Sequence, residues 1–103
     1  MGLNIRIKDG APLCCPYCGE IVAHKYVAVV YSSGSDWYDY LEHVGYYGTD
    51  EDWYGADMVL TEKQALQLAN YAVGNGCYNS HEIHDLVARA RENGHEVVIN
   101  ADW

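Results

Sequence analysis

Leu3 to Tyr31 reads LNIRIKDGAPLCCPYCGEIVAHKYVAVVY, and the fold class turns on its two ends. Residues 3–8, LNIRIK, alternate apolar and polar side chains, the period of a strand with one buried face. Asp9-Gly10-Ala11-Pro12 is turn chemistry. Residues 21–31, IVAHKYVAVVY, are dense in β-branched and aromatic types and predict a long strand. Between them stands Cys14-Cys15-Pro16-Tyr17-Cys18-Gly19. The N-terminal third, 1–31, is therefore expected to be a hairpin carrying a zinc-knuckle-like turn. The apolar run 26–31 offers an edge through which a homodimer could form.

Ser32-Ser33-Gly34-Ser35 closes the second strand. Residues 36–44, DWYDYLEHV, predict a short helix with Ser35 as N-cap and Trp37, Leu41 and Val44 on one face. A long loop over 45–57 follows, with a short strand near Trp53 to Val59. Thr61-Glu62-Lys63-Gln64 is a capping box. The helix it opens should run to about Val73, burying Ala65, Leu66, Leu68, Ala69, Ala72 and Val73, and stop at Gly74-Asn75-Gly76. Asn79 or Ser80 caps another helix through Glu92, with Ile83, Leu86, Val87 and Ala90 inward. Residues 95–101, HEVVINA, return as a strand. The expectation is one α+β domain over 1–103, with a three- to four-stranded, mostly antiparallel sheet packed by two to three helices. It divides into the hairpin (1–31), an acidic aromatic segment (32–60) and a helix-helix-strand unit (61–103).

With 103 residues, half of them apolar, the chain suits one modest core. No apolar run approaches the ~20 residues of a membrane span. The start, MGLNIRIKDG, has no signal-peptide core. A cytoplasmic protein that avoids membranes is expected. Six basic residues against fifteen acidic ones give a net charge of −9. Phosphate binding needs clustered Lys and Arg, so direct nucleic-acid binding is disfavoured. Anionic membrane surfaces are disfavoured for the same reason. A basic protein is the natural partner.

Four cysteines in a cytosolic chain read as metal ligands or redox groups before disulfides. Cys15-Pro16-Tyr17-Cys18-Gly19 suits a zinc knuckle, with two thiolates on a tight turn and Gly19 allowing the backbone to bend. Cys77 and His81, spaced i, i+4 near the start of the last helix, would complete a structural zinc site. Cys14, His24, His43 and His84 are the alternative ligands. The competing reading makes Cys77 a buried apolar thiol and His81 a solvated helix residue. His81-Glu82-Ile83-His84 is not a metalloprotease motif, because its two His are three residues apart.

Between residues 36 and 57 lie seven acids and no Lys or Arg. Trp37, Tyr38, Tyr40, Tyr46, Tyr47, Trp53 and Tyr54 interleave with them. Aromatic area with carboxylate charge is how a protein-binding surface is built. The expected contact set is Trp37, Tyr38, Asp39, Asp50, Glu51, Asp52, Trp53 and Tyr54. The competing reading puts Trp37, Tyr40 and Trp53 in the core and leaves the acids as a solvated face. A second alternative is a small-ligand site or an enzyme with a Tyr/Trp-lined pocket. No catalytic residue is assigned, since Gly-rich phosphate loops and nucleophile-elbow motifs are absent from the sequence.

CPYC resembles the active site of glutaredoxins, which implies a thiol-disulfide protein with Cys15 as nucleophile and Cys18 as resolving thiol. That motif opens a helix in glutaredoxins, whereas a β-forming run follows it here, and no later Val-Pro pair exists. The opening MGLNI, the CPYCG knuckle and the ending Glu96-Val97-Val98-Ile99-Asn100-Ala101-Asp102-Trp103 resemble small uncharacterised proteins carried by bacteriophages and prophages. That resemblance implies a phage or mobile-element setting and carries over no catalytic residue. The resulting expectation is a small acidic non-enzymatic protein that binds, and can inhibit, a basic host or toxin protein.

Overall fold

The computed structural model describes residues 3–103. Its elements are β1 (Asn4–Cys14), β2 (Ile21–Ser33), α1 (Trp37–Val44), β3 (Asp57–Val59), α2 (Glu62–Gly74), α3 (Ser80–Glu92) and β4 (Glu96–Asp102). The four strands form one antiparallel sheet in the order β2-β1-β4-β3. The α+β class, the antiparallel sheet and the three helices agree with the sequence reading.

The alternation of LNIRIK sends Leu3, Ile5 and Ile7 to one face, where all three are fully buried. Ile5 pairs with Ala101 and Ile7 with Ile99, extending the same apolar face onto β4. Helix α3 lies across this face, α2 packs against α3 and β4, and α1 packs against α2. Leu68, Ala72, Ile83, Leu86, Val87 and Ala90 fill the layer between. The opposite sheet face carries no helix and mixes apolar with polar side chains: Val98 is fully buried on it, with Val29, Tyr31 and Val59 exposed beside it. There Arg6 bonds to Asn100 and Asp102, and Lys8 bonds to Asp57.

Strand β1 runs on to Cys14 where the sequence predicts a turn from Asp9. A register shift after Asp9 absorbs the irregularity. Gly10 leaves room for the His24 ring, which an added Cβ would meet at 3.3 Å. The last β1–β4 pair is Gly10 with Glu96. Pro12 therefore sits where one edge of β1 is free, a position a proline tolerates. Beyond that pair only β1 and β2 continue, so the hairpin projects from the body as a two-stranded arm. The outer edge of β2 has no strand partner among the described residues.

Thr61 and Gln64 form the predicted capping box, with both reciprocal bonds made. Leu66 and Val73, expected inside, are exposed. Helix α1 starts after Asp36 rather than Ser35, and no side chain caps it. Asn79 precedes α3 in the left-handed conformation at φ 59° and donates to the Tyr31 carbonyl instead of capping. None of the helices of the described residues is long and apolar enough to cross a membrane.

Candidate functional site

Helix α1 turns Trp37 and Tyr40 into the core. Trp37 is 0% exposed, and its Nε1 donates to Ser32 Oγ at 2.9 Å. Its ring lies against Tyr40 and Tyr71. Trp37 is thus removed from the expected contact surface, because α1 packs on α2 through this side chain. Asp39 stays exposed on α1 but faces the α2 side. Burial first, then the Asp39 charge, pushes the Tyr71 phenol pKa up.

Past α1, Gly45 takes the left-handed conformation at φ 81° and reverses the chain. Tyr46 drops into the core. Its hydroxyl donates to the Ala56 carbonyl at 2.6 Å and accepts the Ala101 N–H at 2.9 Å. Gly55 N–H returns to the Ala101 carbonyl. The loop is so pinned at both ends to β4, and its acidic tip arches between them. Trp53 lies half-buried against Tyr46, and Tyr38 against Tyr47. Trp103, just past β4, stands edge-on to Tyr46, Tyr47 and Tyr54.

These rings and the loop enclose an open cleft of about 420 Å³. Tyr46, Tyr47, Trp53 and Trp103 supply its aromatic walls, and Asp50, Glu51 and Asp52 its acidic rim. The three acids are exposed, and among the described residues none pairs with a Lys, Arg or His side chain. Of the expected contact set, the cleft takes Asp50, Glu51, Asp52 and Trp53. Tyr38 and Tyr54 support it from behind through Tyr47 and Trp103. Tyr47 and Trp103 were missing from that set. Trp103 carries no local sequence signal, since only the sheet register brings the chain end to the loop.

The cysteines fall into two places. Cys15 and Cys18 lie on the turn at the tip of the arm. Cys15 N–H donates to the Glu20 carbonyl at 2.7 Å, and Gly19 N–H to the Cys15 carbonyl at 2.9 Å. Gly19 has φ +75°, the conformation this turn requires of it. The backbone N–H groups of Tyr17 and Cys18, and then the Cys18 thiol, hold the Cys15 thiol below its ordinary pKa range. Cys77 is buried at the α2–α3 junction, where burial pushes its thiol up. The next residues, Tyr78 and Asn79, bond to Ser32 and Tyr31. That is the opposite end of the β1–β2 ladder from Cys14 and Ile21. Eleven residues of strand separate the two ends, roughly 35 Å at ~3.3 Å per residue.

The four-ligand set Cys15, Cys18, Cys77 and His81 is therefore not brought together. Nor do the alternative histidines reach the tip, and Cys14 ends β1 just before it. His24 bonds to Glu96 at 2.9 Å, while His43 and His84 are exposed on α1 and α3. Among the described residues no three His, Cys, Asp or Glu side chains gather where one ion could bind them all. A further polar pair lies where β1 meets β4: the buried Asp9 carboxyl and the His95 ring are hydrogen-bonded, Oδ1 to Nδ1 2.8 Å.

The chain is thus an α+β protein with one helix-covered sheet face, an aromatic acidic cleft and a projecting cysteine-tipped arm. Comparison with known protein families, with curated proteins and with solved structures finds no match to the chain.

Proposed function

We propose that this is a non-enzymatic binding protein that engages a basic protein through the cleft between Tyr47, Trp53 and Trp103. The observation that carries the reading is the juxtaposition of an aromatic-walled cleft of about 420 Å³ with three acids that no basic side chain among the described residues pairs with. A Lys or Arg side chain entering it would meet ring faces and carboxylates together. Charge complementarity would also speed the encounter, since the chain carries −9 overall. A partner whose own groove binds nucleic acid would be inhibited by such occupancy. The likeness of the two chain ends to bacteriophage and prophage proteins makes a mobile-element setting part of this proposal.

The test uses the indole N–H signals of the three tryptophans and short Arg- or Lys-containing peptides as probes. Added peptide is expected to shift the Trp53 and Trp103 signals and leave buried Trp37 unmoved. Replacing Asp50, Glu51 and Asp52 by Asn, Gln and Asn should weaken binding at least tenfold and flatten its salt dependence. Binding that ignores those substitutions, or shifts that spread equally to Trp37, would overturn the proposal.

A further inference from the structure

The turn at the arm's tip holds two neighbouring thiols, and among the described residues no third ligand gathers with them. Cys15 and Cys18 sit on a turn closed by hydrogen bonds from the Cys15 N–H to the Glu20 carbonyl and from the Gly19 N–H to the Cys15 carbonyl. Cys14 is no third ligand. It belongs to β1, where successive side chains alternate in direction, and no three-residue cluster includes it. Thiolates select soft or borderline ions, and zinc bound by them takes four ligands in a tetrahedron.

The tip is also built to meet another surface. Tyr17 is 96% exposed, and Leu13, Ile21 and Val22 are exposed around it. Residues 10–26 contain one acid, Glu20, and one base, Lys25, so this end is neutral in a chain of net charge −9. Local charge therefore does not oppose the approach of a second copy at this end. A two-fold axis through the tip would set the same residues face to face, which is how closed dimers form.

We propose that the tips of two copies of this chain share one zinc ion, each contributing Cys15 and Cys18 to a four-thiolate site. Four thiols release four protons to solvent, the ion sheds its water, and four Zn–S bonds form with no change in oxidation state. The resulting centre carries −2, and its burial between the two tips covers Tyr17, Leu13, Ile21 and Val22. Metal binding and dimerisation are then one event, and each arm becomes half of a rigid bridge between two acidic bodies. This inference is independent of the cleft.

The chain would be purified in reductant, given Zn²⁺, and examined by elemental analysis together with light scattering. The expected result is one zinc per two chains and a doubled mass. Chelation, Cys15→Ser and Cys18→Ser should each remove the zinc and halve the mass. Cys14→Ser, Cys77→Ser and His81→Ala should change neither. Co²⁺ in place of zinc should give tetrathiolate absorption that saturates at half an equivalent. The tip lies outside the core, so unchanged Trp37 indole signals in the Ser variants verify the fold. One zinc per chain in a monomer would overturn the proposal. So would a Cys15–Cys18 disulfide that persists in reductant, or a dimer that survives chelation and so pairs through the β2 edge.

Discussion

Tyr47 and Trp103 meet edge to face, with ring centroids 5.0 Å apart and planes at 87°. One residue opens the acidic loop and the other follows the last strand. Their contact closes the cleft wall across a gap of more than half the sequence. Trp103 meets Tyr54 at 5.0 Å and Tyr46 at 6.1 Å as well, so one side chain backs three tyrosines. Trp103→Ala is expected to cost about 2 kcal/mol, less than a fully buried tryptophan because Trp103 is only partly buried. Amide exchange should speed up over residues 48–56 in the same variant while α2 and α3 keep their protection. Trp103→Phe should recover most of both losses. Stability unchanged by Trp103→Ala would mean that the loop is held by its backbone bonds alone.

Tyr46 secures the same loop by a different means. Its hydroxyl is the partner of one N–H and one carbonyl that the core shields from water. Tyr46→Phe keeps the ring and removes that partner, leaving both backbone groups unsatisfied. A loss of about 2 kcal/mol is expected. In urea unfolding the midpoint should fall with an unchanged slope, because the folded and unfolded surfaces stay the same.

Asp9 is only 4% exposed, and among the described residues His95 is its one side-chain partner. Removing the imidazole leaves a carboxylate buried without a donor. His95→Ala is expected to cost about 2 kcal/mol or more. Adding Asp9→Leu in the same chain should restore part of that loss, since the buried charge is then gone. A double variant as unstable as the sum of the two single ones would show that the residues act separately.

Local chemistry was legible in the sequence, and long-range placement was not. The alternation of Leu3, Ile5 and Ile7 and the Thr61–Gln64 capping box are settled by neighbours along the chain, and both formed as read. The extension of β1 through Pro12 depends on which of its edges β4 leaves free, which no local pattern encodes. Asp36-Trp37-Tyr38 and Asp52-Trp53-Tyr54 look alike in sequence. Only the packing of α1 on α2 sends the first tryptophan inward and leaves the second at the cleft. The ligand set failed for the same reason. The spacing of Cys77 and His81 suits one metal ion, but the register of β1 on β2 sets them at the far end from Cys15 and Cys18.

The open sheet face sets the response of the fold to acid. Burial works to raise the Asp57 pKa, but hydrogen bonds from Asn100, Lys8 and Tyr26 outweigh it and leave the carboxyl below its ordinary value. The Asp102 carboxyl is likewise held down, first by its hydrogen bond from Arg6 and then by Asn4. A depressed folded pKa means that the unfolded chain binds the proton more readily. The stabilisation is therefore complete above the ordinary aspartate value near 4, shrinks as pH falls through it, and vanishes below the folded value. Urea midpoints measured between about pH 6 and pH 2 should fall less steeply for Asp57→Asn or Asp102→Asn than for the unaltered chain. Asn100 bonds to both Arg6 and Asp57, so it couples the two sites. The double variant should accordingly flatten the curve by an amount different from the sum of the two single effects. Equal slopes in all four proteins would locate the acid sensitivity elsewhere in the chain.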